Sequence, residues 1–123
     1  MTSRSSVPVR GDIWEVRFDP SEGDEIKKTW PAVVVSFRNA GRMALHIVAP
    51  ITGWQTAFDA LFWMIRLSPT SSNGLSKESS ADAFQVKSVS VNRFRRKLGS
   101  VTPDDLDDIA AAIAICIGYR PTT

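Results

Sequence analysis

The spacing of apolar and polar residues predicts several short β-strands before a single helix. Trp14, Val16 and Phe18 alternate with polar residues, which is the period of a half-buried strand, and residues 19–20, Asp-Pro, end it. Residues 31–37 form an apolar run whose consecutive valines favour a second strand. Further strands are predicted over residues 43–51, 58–67 and 83–91, with a short edge strand at 99–101.

The helix is predicted at the C-terminal end of the chain. Thr102 suits the N-cap, Pro103 suits the first helical position, and Gly118 is the natural stop. Between them, apolar residues recur at the spacing of one helical face: Leu106, Ile109, Ala110, Ile113 and Ile117. The residue pattern therefore indicates a mainly β (α+β) protein, a small, strongly bent antiparallel sheet with a C-terminal α-helix.

Two of the predicted strands carry unusual numbers of apolar residues. Residues 43–51 are apolar on both faces, which predicts a strand covered on both sides. Residues 58–67 hold more large apolar groups than a strand in so small a chain needs. Either one face is a subunit or partner interface, or both faces are buried within the monomer. The intervening segments, 21–29 and 68–80, predict a mixed-charge loop and a long flexible Ser-rich loop.

Length and composition are those of one soluble domain over residues 1–123, with residues 1–9 as a flexible lead. The longest apolar runs are too short to span a bilayer, and no signal-peptide core follows the N-terminus. We therefore expect a cytoplasmic protein without a membrane partner. The net charge of +2 and the isoelectric point near 9.0 permit nucleic-acid binding without demanding it.

Few residues suit metal or acid–base chemistry. One cysteine, Cys116, cannot form an internal disulfide, and with one histidine it cannot make a zinc site, so no metal or other cofactor is expected. His46 has a suitable pKa for acid–base work, but its position among apolar residues of a predicted strand favours a structural role.

Four blocks of the sequence resemble the MazF/PemK family of toxin ribonucleases. The first block comprises Gly11-Asp12-Ile13-Trp14, Asp19-Pro20 and Gly23-Asp24-Glu25. The next is Trp30-Pro31-Ala32-Val33-Val34-Val35-Ser36, and the last two are Pro50-Ile51-Thr52 and Gln85-Val86-Lys87-Ser88. The resemblance implies an SH3-like barrel with the helix packed on it. It also implies the toxin of a type II toxin–antitoxin system, a metal-independent, sequence-selective endoribonuclease (mRNA interferase). The implied partners are a small cognate antitoxin, single-stranded RNA and a second copy in a homodimer.

The resemblance also indicates catalytic positions. In the family an arginine precedes the proline, a threonine follows the third strand, and an acid lies in the Gly-x-Glu loop or before the Gln-x-Lys block. Carried over, the threonine is Thr52 and the loop acid is Glu25. Trp30 stands at the arginine position and Phe84 at the second acidic position, and neither supplies the expected charge. Substitute groups are Lys27, Lys28 or Lys87 for the cation, and Asp82 for the acid.

The predicted RNA-binding residues combine cations, an amide and aromatic rings: Lys27, Lys28, Trp30, Trp54, Gln55 and Lys87. A rival basic patch comprises Arg93, Arg95, Arg96 and Lys97. Trp30, Trp54 and Phe84 either form a platform on which bases stack, or Trp30 and Phe84 belong to the core.

Two other functions stay open at the level of sequence. The chain can be a catalytically dead module that binds RNA or an antitoxin-like peptide. Alternatively it can act like CcdB, a toxin of the same fold that poisons DNA gyrase, through the end of its C-terminal helix.

Overall fold

The computed structural model describes residues 7–18, 29–37 and 44–120. Its strands are β1 (Asp12–Arg17), β2 (Thr29–Val34), β3 (Leu45–Gly53), β4 (Met64–Leu67), β5 (Ser79–Asp82), β6 (Lys87–Ser90) and β7 (Phe94–Ser100). One α-helix follows, α1 (Pro103–Cys116). Short 3-10 helices occupy Thr56–Ala60, Ala83–Gln85 and Val91–Arg93.

The strands form one antiparallel sheet in the order β4-β5-β3-β2-β1-β7. The long strand β3 pairs with β6 along its first half, and its last three residues pair with β5. Since β3 changes partners part-way along its length, the sheet bends there. This open, bent antiparallel sheet with one C-terminal helix confirms the predicted fold class.

Buried apolar side chains form one cluster on each face of the sheet. One cluster contains Ile13, Val33, Ile51 and Leu67, and Ile109 of α1 completes it. A second cluster gathers the side chains of the opposite sheet face: Trp14, Val16, Ala32, Val34, Val48 and Val89. Each buried large aliphatic side chain contributes about 1.5–3 kcal/mol to stability. The alternation of residues along β1 places Ile13 in the first cluster and Trp14 and Val16 in the second.

The Gly-Asp-x-Trp block has a structural function. The buried Asp12 carboxylate accepts hydrogen bonds from the Val9 backbone N–H (3.0 Å) and from Trp14 Nε1 (3.1 Å). Lys97 Nζ of β7 lies 3.3 Å from the same carboxylate. These contacts tie the chain before β1 to both β1 and β7.

The helix forms as predicted. Thr102 Oγ1 accepts a hydrogen bond from the Asp105 N–H at 3.0 Å, and Pro103 follows at the first position. Gly118 adopts a φ of +85°, the left-handed conformation that ends helices. No helix in the described part of the chain is long and apolar enough to cross a membrane.

The prediction of one long strand over residues 58–67 is wrong. Residues Thr56–Ala60 form a 3-10 helix, and only Met64–Leu67 belong to a strand. Backbone N–H groups of Phe58 and Leu61 donate to carbonyls three residues earlier, so this segment bonds locally instead of joining a ladder. Phe62 remains exposed, which rules out burial of both faces within the monomer.

The segment 83–91 is also not a continuous strand. The Asp82 carboxylate accepts from the Phe84 N–H at 3.0 Å and caps a 3-10 helix, and pairing resumes only at β6. Two strands include residues that were not predicted to be in strands. Strand β5 includes Ser79 and Ser80, which belong to the predicted loop 68–80, and β7 begins at Phe94 instead of at residue 99. Cross-strand hydrogen bonds, which local composition does not reveal, extend both.

Strand β3 is not covered along both faces. His46 and Val48 are buried, whereas Leu45 and Ile47 on the other face are 38% and 44% exposed. The strand continues to Gly53, past the end predicted at residue 51, because β5 pairs with these last residues. Strand β2 lies earlier in the chain than predicted: it spans Thr29–Val34 instead of residues 31–37.

Candidate functional site

The candidate site lies where β2 and β3 stop pairing. Their last paired residues are Ala32 and Pro50, and Pro31 and Pro50 both lack the N–H needed for a ladder hydrogen bond. Beyond this point a groove of about 480 Å³ opens. It is lined by Phe18, Trp30, Pro50, Ile51, Thr52, Phe58, Leu61, Trp63, Met64, Asp82, Gln85 and Lys87. The groove therefore combines a mostly apolar wall with a few polar groups, the usual character of a ligand site.

Thr52 lines this groove and is the second-last residue of β3. It is exposed and pairs across the ladder with Ser80 of β5. Ser80 is fully buried, and its hydroxyl has no hydrogen-bond partner within the described ranges. Because paired residues of neighbouring strands point to the same face, an exposed and a buried hydroxyl lie side by side here.

The groove contains one cation and one carboxylate from described residues, Lys87 and Asp82. Lys87 Nζ lies 5.3 Å from the centre of the Phe18 ring, a cation–π distance. Asp82 accepts from the Phe84 N–H and from Gln85 Nε2, the latter at 3.1 Å, so its carboxylate is held in place. Opposite charges and a hydroxyl thus border the same space.

The aromatic residues at the two substituted family positions are exposed. Trp30 is 45% and Phe84 is 59% accessible, so the interpretation that they join the core is wrong. Trp30 lines the groove. Phe84 instead packs edge-on against Trp63 at 5.6 Å and is not among the lining residues.

Trp54 and Gln55 lie just beyond the groove and are not among its lining residues. The Trp54 ring packs against Phe58, and the Arg66 guanidinium lies 4.8 Å from its centre. Arg66 donates to the Glu78 carboxylate at 3.0 Å. Hydrogen bonds from Ser68 and Arg66 lower the pKa of Glu78 and favour its charged form. The structure therefore brings Thr52, Trp30 and Lys87 together and leaves Trp54 in a neighbouring cluster.

Comparison with known proteins decides the family. The family model of the PemK-like, MazF-like toxin of type II toxin–antitoxin systems matches residues 9–117. The chain belongs to this toxin family. It is 31% identical to endoribonuclease MazF9 of Mycobacterium tuberculosis over 112 residues, covering 86% of this chain and 92% of that protein. It is 33% identical to the endoribonuclease toxin MazF of Escherichia coli over 116 residues, covering 91% and 96%.

Solved structures of similar toxins share the fold. A MazE–MazF complex from Deinococcus radiodurans superposes with a TM-score of 0.74 at 20% identity, covering 93% of this chain and 99% of that chain. A mycobacterial endoribonuclease in complex with its cognate antitoxin gives a TM-score of 0.72 at 20% identity, covering 94% and 100%. At this identity the likeness supports the architecture alone.

Three predicted site residues of the toxin, Glu25, Lys27 and Lys28, lie outside the described residues, so their roles stay predictions. Among the described residues, no group of three or more His, Cys, Asp or Glu side chains is placed to hold a metal ion. His46 is buried and packs edge-on against Phe94 at 5.4 Å. Burial lowers its pKa and favours the neutral form, as expected of a structural histidine.

Three of the four residues of the toxin's rival basic patch form contacts within the sheet, and none of the four lines the groove. Arg96 pairs with Glu15, Lys97 pairs with Asp12, and Arg93 Nη1 donates to the Arg17 carbonyl. Phe58, Leu61 and Trp63 line the groove, although none of them was predicted from the sequence as a site residue. The missed signal was the excess of large apolar groups between residues 58 and 65, which line a cleft instead of forming a strand.

Proposed function

We propose that this toxin binds single-stranded RNA in the groove and cleaves it without a metal ion. The observation that carries the proposal is that Thr52, Trp30, Asp82 and Lys87 line one groove at the end of β3. The exposed Trp30 indole provides a face for base stacking, which is worth about 1–3 kcal/mol per base. The match to endoribonucleases over nearly the whole chain favours this function over gyrase poisoning.

The reaction we propose is an internal transfer within the RNA. The 2′-oxygen attacks the adjacent phosphorus while a base takes its proton, and the bond from phosphorus to the 5′-oxygen then breaks. The 5′-oxygen takes up a proton, so the products carry a 2′,3′-cyclic phosphate and a 5′-hydroxyl. In the pentacovalent transition state the phosphate oxygens carry extra negative charge, which hydrogen-bond donors and cations stabilise.

Residues of this chain suit these roles. The Thr52 hydroxyl donates a hydrogen bond to a phosphate oxygen, and the Lys87 ammonium supplies positive charge within the same groove. For the base there are two candidates, Glu25 of the resemblance and Asp82 of the groove. Comparing Glu25→Gln with Asp82→Asn decides between them, because each change removes one carboxylate while preserving side-chain size.

Thr52→Ala tests the proposed function directly. We expect cleavage of a mixed-sequence RNA to fall about a hundredfold, since a donor to the developing negative charge is lost. Thr52→Ser, which keeps the hydroxyl, should retain most of the activity. Because Thr52 is exposed, neither change should affect folding, which circular dichroism checks. Cleavage should persist in EDTA, and the new ends should carry cyclic phosphate.

Outcomes of the Thr52 experiment separate the alternatives. RNA binding without cleavage by the native protein identifies a catalytically inactive binding module. Gyrase-dependent DNA breakage without RNA binding identifies a gyrase poison. Equal cleavage by the native protein and by Thr52→Ala contradicts the role proposed for Thr52.

The proposed partners are a cognate antitoxin and a second copy of the chain, acting in the cytoplasm. The similar toxins of known structure include complexes with their antitoxins. Large apolar side chains remain exposed on the region around the 3-10 helix 83–85 and on the C-terminal end of the chain: Phe62, Phe84, Ile115, Ile117 and Tyr119. Exposed apolar residues grouped in this way mark a candidate interaction surface.

A further inference from the structure

A second hollow adjoins the groove on the far side of Thr52. It has a volume of about 270 Å³ and shares Trp30, Ile51 and Thr52 with the groove. Its complete lining is Thr29, Trp30, Pro31, Ile51, Thr52, Gly53, Lys77 and Ser79. The two spaces therefore lie next to each other at the gap between the ends of β2 and β3.

Lys77 alone carries a charge among the described residues that line this hollow. Its Nζ lies 3.3 Å and its Cε 3.4 Å from the position that a Cβ would occupy on Gly53. Because Gly53 has no side chain, the lysine lies directly over the β3 backbone. Gly53 immediately follows Thr52, and Lys77, Gly53 and Thr52 all line this hollow.

The backbone that carries Lys77 is anchored. Ser79 pairs with Gly53 across the β3–β5 ladder, and the Ser79 hydroxyl donates to the Lys77 carbonyl at 2.8 Å. Lys77 is thus a diagonal cross-strand neighbour of Gly53, within reach of a long side chain. In the described part of the chain, the ion pairs formed are Arg66–Glu78, Arg96–Glu15 and Lys97–Asp12, and none engages Lys77.

We infer that this hollow is a phosphate subsite and that Lys77 binds the RNA phosphate next to the one held at Thr52. The inference rests on the proposed function, because it concerns the path of the same RNA strand. The strand would run from the groove past Thr52 into the hollow, with Trp30 as a wall common to both spaces. Lys77 then supplies positive charge beside Thr52, where Trp30 itself supplies none.

The test measures RNA affinity at several salt concentrations. Binding of a single-stranded RNA of mixed sequence is measured in the Thr52→Ala background, so that cleavage during the measurement is about a hundredfold slower. Affinity falls as salt rises, so the slope of log affinity against log salt is negative. Each lost phosphate contact reduces the steepness of this slope by about 0.7 for single strands. We expect Lys77→Gln to reduce the steepness by about this amount and Lys77→Arg to preserve it.

Arg95→Gln is the matched control, since it removes the same charge from an exposed residue of the rival patch. It should leave the slope unchanged. Gly53→Ala provides a second variant: its new methyl group would lie 3.3 Å from the Lys77 ammonium, which would have to move by a few tenths of an ångström. Any change in slope that this variant causes should therefore disappear when it is combined with Lys77→Gln.

Each outcome has a distinct meaning. If the parent protein binds RNA but Lys77→Gln leaves the slope unchanged, the subsite is refuted and the proposed function stands. An equal decrease in slope with Arg95→Gln also overturns the subsite, because general charge loss then explains the effect. If the parent protein binds no RNA at all, the proposed function fails and the subsite fails with it.

Discussion

Trp30 stands where the MazF/PemK pattern has an arginine, and its side chain cannot stabilise negative charge in the same way. It is exposed, lines the groove and lies at the paired end of β2 opposite Val16 of β1. An arginine at this position would therefore project toward the same space without displacing a core residue. This makes the position suitable for testing how much charge the site lacks.

Trp30→Arg should raise RNA cleavage by about a hundredfold, because a cation beside the phosphate stabilises the transition state. Cleavage rates under single-turnover conditions measure the effect, with Trp30→Phe as the control that changes the side chain without adding charge. If the native protein already cleaves well and Trp30→Arg changes little, Lys87 or another lysine supplies the charge. Inactivity of both proteins, each correctly folded, would mean that the missing acid at Phe84 also matters, and the ribonuclease hypothesis would fail.

At the scale of elements, the loop between β4 and β5 matters because it leads into Lys77 and β5. The buried Asn73 side chain organises it, accepting hydrogen bonds from the Thr70 and Leu75 N–H groups, each at 3.0 Å. Its amide also donates to the Ser68 carbonyl at 2.9 Å. Gly99 of β7 lets the loop pack closely, since a Cβ there would lie 2.2 Å from the Ser72 carbonyl oxygen.

Asn73→Ala should lower the free energy of unfolding by about 2–3 kcal/mol, because three hydrogen bonds are lost and two backbone N–H groups lose their acceptor. Urea denaturation followed by circular dichroism measures the change. A midpoint for Asn73→Ala equal to that of the native protein would show that the loop does not contribute to stability.

At the scale of the whole molecule, two exposed apolar regions compete as the site of self-association. One includes Phe62, Phe84 and Ile117, where Phe62 and Phe84 both pack edge-on against Trp63. The other includes Leu45 and Ile47 on the exposed face of β3. Contact with a second copy at either region would remove apolar surface from water, which is energetically favourable.

We predict a homodimer, so sedimentation equilibrium at micromolar concentration should give about twice the chain mass of 13.5 kDa. Ile117→Glu and Ile47→Glu form a matched pair, since each introduces a charge at an exposed aliphatic residue. The variant that dissociates the dimer identifies the interface. A single species of 13.5 kDa for the native protein would refute the dimer.

Local sequence determined the elements whose signals are contained within a few residues. Strand β1 follows from its alternation, and helix α1 follows from Thr102, Pro103 and Gly118, which act on their own turns. Family membership was also readable, because the Gly-Asp-x-Trp and Gln-x-Lys blocks are contiguous. One wrong prediction fell where local apolar content was high but pairing was absent. Residues 58–63 include the end of the 3-10 helix Thr56–Ala60 and contribute Phe58, Leu61 and Trp63 to the groove.

The tertiary structure decided which of the predicted residues share one groove. Thr52, Asp82 and Lys87 come from three segments, and the β3 pairings with β5 and β6 bring those segments together. The groove exists because the β2–β3 ladder stops at Ala32 and Pro50, and Lys77 lies over Gly53 because of the β3–β5 register. Register depends on contacts between residues far apart in the chain, so composition and local spacing do not reveal it.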